Sequence, residues 1–219
     1  MVGVNDTAGP RVADSVADRL REMIFSGELA PGTKLSVPAL AESLEVSRSP
    51  VRDAVMRLVR ERLAREEPRR GAVVAHVGPV ELASIYEVRE VLEGLAARLA
   101  VENAGRRLVR ALRQTVDEHE AAVRVADLVA STEADMHFHR QIRQAAGNDE
   151  VVRLLDDVQT QVRLAMRTTT VTAGPRQALD DHRAIVTAID AGDAVAAEQA
   201  ARAHIRRLRG VLLRQFEVD

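Results

Sequence analysis

The 219-residue chain contains no cysteine or tryptophan, one tyrosine, three phenylalanines and a single lysine, Lys34. Without cysteine, disulfides, thiolate metal sites and cysteine nucleophiles are excluded. Aromatic residues make up 2% of a chain that is 46% hydrophobic, so its core must be mainly aliphatic. No apolar run approaches the ~18 residues of a membrane span, and the start lacks the apolar segment of a signal peptide. We therefore expect a cytoplasmic protein, mostly helical because alanine, leucine, arginine and glutamate dominate.

The net charge of −2 hides an uneven distribution. Residues 47–71 contain eight arginines against four acidic residues, whereas residues 79–219 carry a small negative excess. Local positive charge is what contact with nucleic acid phosphates requires. Arginine-rich helices also occur as ordinary solvated surfaces, so this charge needs support from the fold.

Three helices and a hairpin are predicted in the first 77 residues. Apolar residues recur every four positions from 11 to 26, and Ser36 can cap a short second helix. A third helix is predicted from Ser49-Pro50 to about Arg62, with Ser49 as N-cap and proline at the first helical position. Two β-prone pieces, 63–67 and 72–77, then flank a turn with arginines at its tip. This order predicts a winged helix-turn-helix whose third helix lies in the DNA major groove.

From residue 80 onward the pattern is helical throughout. The predicted helices lie near 80–103, 106–125, 127–146, 149–168, 175–191 and 193–216, with breaks that include Gly105, Gly147-Asn148 and Ala173-Gly174-Pro175. Six helices with short loops can form an antiparallel bundle. We therefore predict a mainly α protein, with the winged helix-turn-helix of three helices and a short β-hairpin in residues 1–78. The six-helix antiparallel bundle occupies residues 79–219.

The start of the third helix carries residues suited to DNA. Arg48 and Arg52 lie four positions apart and project from one side of the helix. Arginine can donate two hydrogen bonds to guanine O6/N7 or clamp a phosphate. Alternatively, both arginines pair on the surface with Asp53 or Glu45. The serines that suit phosphate, together with the free N–H groups of a helix start, are Ser47 and Ser49.

Ionisable residues recur on inward helix faces of the predicted bundle: Asp135, His139, His182 and His204. Asp135 and His139 are one turn apart, and the other two histidines stand among aliphatic positions of their helices. Such groups are costly to bury unless they satisfy one another. A divalent cation would satisfy them, because neutral imidazole and carboxylate are its normal ligands. Taken singly, each histidine is more often a hydrogen-bonded core residue.

Two stretches carry a resemblance to a known family: Gly27-Glu-Leu-Ala-Pro-Gly-Thr-Lys-Leu35 and Val46-Ser-Arg-Ser-Pro-Val-Arg-Asp-Ala54, with Leu40-Ala41, Leu58 and Arg70-Gly71. Through them, residues 11–77 resemble the winged-helix domain of GntR-type bacterial transcriptional regulators. Residues 80–216 resemble the all-helical FCD effector domain of the FadR subfamily, in its shorter, VanR-like form. The chain departs from the pattern in two places. Val37-Pro38-Ala39 replaces the charged residues usual early in the second helix, and Arg62 replaces the glycine usual after the third.

The resemblance implies roles for particular residues in DNA binding. Positions matching Arg48, Arg52 and the wing pair Arg70-Gly71 contact double-stranded operator DNA, and Arg69 lies beside them at the predicted tip.

The resemblance also implies a metal and effector site. Positions matching Asp135, His139, His182 and His204 bind one divalent metal ion, for which zinc is our first choice and nickel, manganese and iron are alternatives. A position matching Arg89 holds the carboxylate of a small organic acid effector. Arg89 interrupts an apolar stripe through Ile85 and Leu92, and its alternative partner is a bundle acid such as Asp156. The histidines outside the pattern, which we predict to be structural, are His76, His119 and His137.

We therefore expect a homodimeric, ligand-responsive transcriptional regulator that binds a palindromic operator and is not an enzyme. A metal-dependent hydrolase is the rival, since three histidines and a carboxylate around an open metal could activate water. No convincing nucleophile or general-base motif accompanies them, and the winged domain would be unexplained. A DNA-binding dimer whose helical domain senses nothing is the third alternative.

Overall fold

A computed structural model describes residues 8–166 and 175–215 as nine helices and one two-stranded sheet. The helices are α1 (Ala8–Ser26), α2 (Val37–Ser43), α3 (Arg48–Arg60), α4 (Pro79–Asn103), α5 (Arg106–Arg124), α6 (Leu128–Ala145), α7 (Asp149–Met166), α8 (Pro175–Asp190) and α9 (Ala194–Gln215). The strands are β1 (Ala64–Glu67) and β2 (Gly71–Val74). The predicted fold class is confirmed. The predicted helix ends at 168 and 216, and the break at Ala173-Gly174, lie outside the described residues.

The first three helices pack around an aliphatic core because their apolar residues repeat with the helical period. In α1, Leu20 and Ile24 are buried, and α1 packs against α3, where Val51 and Leu58 are completely buried. Polar residues occupy the opposite face of α3. This arrangement leaves that face of α3 open to solvent.

The hairpin follows α3 directly. Strands β1 and β2 are antiparallel, with Ala64 opposite Val74 and Glu67 opposite Gly71. Lys34, in the loop before α2, forms a bridge with Val73, so this loop extends the edge of the hairpin. The helix-turn-helix and the hairpin therefore form one connected structure.

Helix α3 begins earlier than predicted. Its N-cap is Ser47, whose backbone is extended, and its first helical residue is Arg48, so Ser49 is not the cap. Pro50 consequently occupies the third helical position. Proline is accommodated there because no N–H group of the first turn has an acceptor within the helix.

The end of α3 shows how the chain does without the usual glycine. Arg62 adopts a left-handed backbone with φ of 58°, the conformation that normally favours glycine. The amide of Arg62 donates to the carbonyl of Val59 at 3.1 Å, and that of Leu63 donates to the carbonyl of Leu58 at 2.9 Å. These two bonds satisfy the last carbonyls of α3 and direct the chain into β1.

The remaining six helices pack on a core of small aliphatic side chains, as the low aromatic content predicts. Helix α4 lies against α9, α5 against α6, and α8 against α9. Three alanines of α4 are completely buried: Ala96, Ala97 and Ala100. At Gly94, a Cβ atom would come within 2.7 Å of the Arg202 side chain of α9, so glycine permits this close approach.

The described chain divides into two compact units. One comprises residues 8–78 together with 160–166, and the other comprises residues 79–159 and 175–215. Helix α7 is continuous and contributes its C-terminal part to the first unit. There, the amide of Gln161 donates a hydrogen bond of 2.8 Å to the carbonyl of Glu61 at the end of α3. Among the described residues, no helix is long and apolar enough to cross a membrane.

Candidate functional site

The exposed face of α3 presents two cationic side chains. Arg48 and Arg52 are solvent-exposed and one turn apart, because the opposite face of the helix is committed to the core through Val51 and Val55. Within residues 12–165 and 176–214, neither guanidinium lies within the 4.0 Å ion-pair distance of an acidic group. The predicted alternative, pairing with neighbouring acids on the surface, is therefore absent from this structure.

The arginines of the hairpin differ in their partners. Arg70 lies 2.6 Å from Glu67 and donates a 3.2 Å hydrogen bond to the carbonyl of Gly32, and Arg65 is 2.9 Å from the same Glu67. Arg69 stands at the tip with φ of 65°, and no acid in the described part of the chain pairs with it. The sharp turn then requires Gly71, whose φ is 78°. The tip thus carries one uncompensated positive charge.

The second site lies in the bundle and consists of a carboxylate and three imidazoles. Helix α6 supplies Asp135 and His139, α8 supplies His182, and α9 supplies His204. The structure brings all four together, with one possible ligand atom from each residue within 4.8 Å of the others. The Nε2 atoms of His139 and His204 are 3.2 Å apart, and Nε2 of His182 is 3.5 Å from an Asp135 oxygen.

Burial defines the chemistry of this cluster. The three imidazoles are at most 3% exposed. Burial lowers the pKa of His182 well below its usual 6.5, helped by the charges of His139 and His204, and burial also lowers the pKa of His204. Both ring nitrogens of His182 lack a hydrogen-bond partner among the described residues. A buried imidazole with two unpartnered nitrogens, grouped with two further imidazoles and a carboxylate, is a donor set that fits a divalent cation.

Two further carboxylates, which the sequence analysis missed, orient the histidines. Glu93 of α4 lies 3.3 Å from Nδ1 of His139, and Asp181 of α8 lies 2.9 Å from Nδ1 of His204. Each carboxylate therefore engages the nitrogen turned away from the cluster. Such outer carboxylates keep the inner nitrogen of an imidazole available as a ligand.

Glu93 is also the partner of Arg89, the predicted effector residue. Arg89 is 3% exposed, donates a 3.4 Å hydrogen bond to Glu93, and lies 5.5 Å above the ring of Tyr86. Burial raises the pKa of Glu93, but the charges of His139 and Arg89 outweigh it and hold this pKa at about 2. The carboxylate is therefore ionised.

The predicted stripe of α4, which also included Leu82 and Ala96, is buried at Leu82, Arg89 and Ala96 but needs correction at its other positions. Its buried face passes through Tyr86 and Glu93, whereas Ile85 and Leu92 are only partly buried. A helix turns by 3.6 residues, so Arg89 is compatible with either stripe, and only packing decides between them. The spacing of four between Arg89 and Glu93 is the signal that could have identified the buried pair.

Arg143 of α6 is the other residue that the sequence analysis missed. It is 3% exposed and lies 3.2 Å from Asp156, the acid considered above as a partner of Arg89. The Nε and Nη1 atoms of Arg143 have no hydrogen-bond partner among the described residues. A spacing of four from His139 places it one turn further along the same face of α6.

The other histidines remain outside the cluster. His119 is buried and its Nε2 lies 3.0 Å from the hydroxyl of Ser131, with its ring 5.6 Å from that of His182. His137 is exposed and hydrogen-bonds Gln141 at 2.7 Å. His76 is exposed.

Two protein families match the sequence. "Bacterial regulatory proteins, gntR family" matches residues 12–74, and "FCD domain" matches residues 84–207, more than half of the chain. The first match contains α3 and the hairpin, and the second contains all four residues of the buried cluster.

The similarity to individual relatives covers most of the chain. It is 29% identical over 217 residues to the HTH-type transcriptional regulator LutR of Bacillus subtilis, covering 89% of this chain and 98% of LutR. It is 30% identical over 197 residues to an uncharacterised HTH-type transcriptional regulator in an unstable DNA locus of Streptomyces ambofaciens, covering 86% and 79% of the two chains. The structure of E. coli McbR/YncC aligns over 99% of this chain and 100% of its own, with a TM-score of 0.74 at 23% identity. That likeness concerns the fold.

Proposed function

Because the chain belongs to the GntR family of bacterial regulatory proteins and carries an FCD domain, we propose that it senses a small organic acid in residues 79–219 and thereby controls operator binding by residues 1–78. Its relatives are transcriptional regulators, and this chain is a transcriptional regulator of the same type, not an enzyme. A bacterial transcriptional regulator acts where its operator DNA is, so we place this chain in the cytoplasm.

Operator DNA binds to the exposed face of α3 in this proposal. Arg48 and Arg52 enter the major groove, where a guanidinium can donate two hydrogen bonds to a guanine. Their exposure and their lack of acidic partners within the described residues support this role, since no ion pair must break before DNA binds. The residues that contact the phosphate backbone are those of the first turn and the wing: Ser47, Ser49, Arg69, Arg70 and Gly71.

The DNA-binding form is a homodimer on a palindromic operator. One recognition helix reads only a few base pairs, and two-fold symmetry doubles the site. We assign most of the dimer contact to residues 79–219, which leaves the exposed face of α3 free in each protomer.

The buried cluster holds one divalent cation. The proposed ligands are Asp135, His139, His182 and His204. We favour zinc, since imidazole and carboxylate are common zinc ligands, and nickel, manganese and iron are the alternatives. An ion that takes more than these four ligands would also attract the carboxylate of an effector.

The effector is a small organic acid that binds beside this cluster. Arg89 is held to its own helix by a long hydrogen bond of 3.4 Å to Glu93, so a ligand carboxylate offers it a better acceptor. Effector binding then connects α4 with the helices that carry the cluster. If the helices differ in arrangement between the DNA-bound and free states, the effector shifts that equilibrium, and by linkage DNA shifts effector affinity by the same factor.

The observation that carries the sensing proposal is His182, which is completely buried with two unpartnered ring nitrogens. The test measures the metal content of the purified full-length protein by mass spectrometry, for wild type, His182→Ala and His137→Ala. We expect about one divalent ion per chain in the wild type and in His137→Ala, whose histidine is exposed on the same helix as His139. We expect none in His182→Ala.

Metal-free wild-type protein that takes up no zinc on titration would contradict the sensing half of the proposal. The DNA-binding half is tested separately by selecting binding sites from random duplexes. Selection of a palindrome that Arg48→Ala and Arg52→Ala both bind weakly supports it, and failure to enrich any sequence contradicts it.

A further inference from the structure

Arg143 extends the candidate site along α6. Asp135, His139 and Arg143 are spaced four residues apart, so they follow one another on a single face of the helix. Each step of four residues advances about 6 Å along the axis. Arg143 therefore lies one turn beyond His139, and its guanidinium is near enough to Glu93 to help lower the pKa of that carboxyl.

Its guanidinium is poorly compensated for a buried charge. Nε is shielded from solvent and lacks a hydrogen-bond partner among the described residues, and Nη1, also shielded, has only an ion pair with Asp156 whose geometry is too poor for a hydrogen bond. The nearest acid, Asp156, is 3.2 Å away but its side chain is 64% exposed, so water weakens its attraction. Burial accordingly lowers the pKa of Arg143. At Arg89, burial also acts to lower the pKa, but Tyr86 and Glu93 outweigh it, and the pKa of Arg89 is raised.

The charges around the cluster indicate the charge of a ligand that would bind there together with a metal ion. Arg89 and Arg143 contribute two positive charges, and Glu93 and Asp135 contribute two negative charges. Asp181 is offset by Arg207 at 2.6 Å, so these residues are neutral as a set. Adding a divalent cation leaves an excess of two positive charges in a region of low exposure. A buried excess of this kind is costly until an anion of equal charge is bound.

We propose that Arg143 is a second acid-binding residue and that the effector is a small dicarboxylate, bound by one carboxylate at the metal and Arg89 and by the other at Arg143. This inference rests on the function proposed above and defines the class of its effector. Two carboxylates supply the two negative charges, and the second offers hydrogen-bond acceptors to Nε and Nη1, neither of which donates a hydrogen bond within the described residues. The axial separation of about 6 Å matches a dicarboxylate with a spacer of two or three carbons.

The test compares acids of equal length with one or two carboxylates. Zinc-loaded full-length protein is titrated calorimetrically with succinate against butyrate, and with glutarate against pentanoate. Because a charge-assisted, two-point contact is stronger than an apolar one, we expect wild type to bind each dicarboxylate at least about tenfold more tightly than its partner. In Arg143→Leu, we expect dicarboxylate affinity to fall to that of the monocarboxylate while monocarboxylate affinity stays unchanged.

Arg140→Leu is the matched control, since Arg140 is exposed on the same helix, and it should keep the wild-type preference. Thermal melting of Arg143→Leu without ligand establishes whether the variant is folded before its acid binding is compared. Arg143→Lys is the second variant, should the leucine variant not fold. It should retain part of the preference, because lysine keeps the charge without the planar fork.

The possible results distinguish a failure of the role assigned to Arg143 from a failure of the proposed sensing function. Equal binding of both acid classes by wild type, unaltered in Arg143→Leu, overturns the role of Arg143 and leaves the sensing function standing. If zinc-loaded wild type binds none of the four acids, the sensing function itself is wrong for this class of effector.

Discussion

We expect His182→Leu to be more stable than wild type in the absence of metal and less stable than wild type in the presence of zinc. The His182 ring is completely buried and stacks on Phe138, with centroids 4.0 Å apart. Its two nitrogens have no hydrogen-bond partner in the described part of the chain. In the metal-free protein they oppose folding, and leucine would fill the same space without polar atoms.

The expected magnitude follows from these contacts. An unpartnered buried polar atom costs roughly 1–3 kcal/mol, whereas losing the stacked ring pair costs roughly 0.5–1.5 kcal/mol. Removing two unpartnered nitrogens gains more free energy than losing the stacked ring pair costs. We therefore expect metal-free His182→Leu to be more stable than metal-free wild type by about 1 kcal/mol or more. At this chain length, 1 kcal/mol corresponds to an increase in Tm of roughly 2–4 °C.

Zinc reverses the comparison because it stabilises only the protein that binds it. At a free concentration one hundred times its Kd, a ligand adds about 2.7 kcal/mol to the free energy of unfolding. The assay is thermal unfolding followed by circular dichroism, once with a chelator and once with zinc. His137→Leu is the control and should show the full zinc shift. If His182→Leu is the less stable protein in chelator and zinc raises both melting temperatures equally, His182 is an ordinary core residue and the reasoning is refuted.

Three further expectations concern the winged domain. Arg52→Ala should weaken binding to the selected operator by roughly 1–3 kcal/mol while hardly changing binding to unrelated DNA, as measured by fluorescence anisotropy. Arg69→Ala should weaken binding to all duplexes alike and reduce the slope of log K against log salt by about 1, whereas a change confined to one sequence would contradict a phosphate contact. Glu61→Gln should lower the free energy of unfolding by about 1 kcal/mol at pH 7, because Glu61 accepts hydrogen bonds of 2.6 and 2.7 Å from Arg21. Burial raises the pKa of Glu61, but Arg21 and Arg57 lower it below 4.5, so this contribution is present above pH 4.5 and is lost as pH falls through the depressed pKa. Wild type and Glu61→Gln should therefore converge in stability in acid, and a constant difference down to pH 2 would contradict the assignment.

The helices could be predicted because their determinants are local. A period of 3.6 residues in the apolar positions, ended by glycine or asparagine, marks the bundle helices, and the observed ends agree within a few residues. The start of α3 was misplaced because Ser47 and Ser49 are both good caps, and proline fits anywhere in the first turn. Local preferences do not separate such near-equal alternatives.

The inner members of the buried cluster were also predictable, from two sources. Spacing alone placed Asp135 and His139 on one face, because residues four apart always neighbour each other on a helix. The cost of burying lone ionisable groups suggested that they meet His182 and His204, and the family resemblance selected this grouping, since periodicity does not specify which helix faces which.

The sequence by itself determined which segments become helices, where the positive charge concentrates and which face of each helix is apolar, because these properties depend on residues within one or two turns. Only the tertiary structure decided which polar residues share a buried space. Glu93 and Asp181 lie on helices remote in sequence from the histidines they orient, at 3.3 and 2.9 Å. Arg143 reads in the sequence as one more surface arginine of α6, and only packing removes it from water. Contacts of this kind depend on the rotation and axial offset of each helix against its neighbours, which the summed packing of many side chains determines.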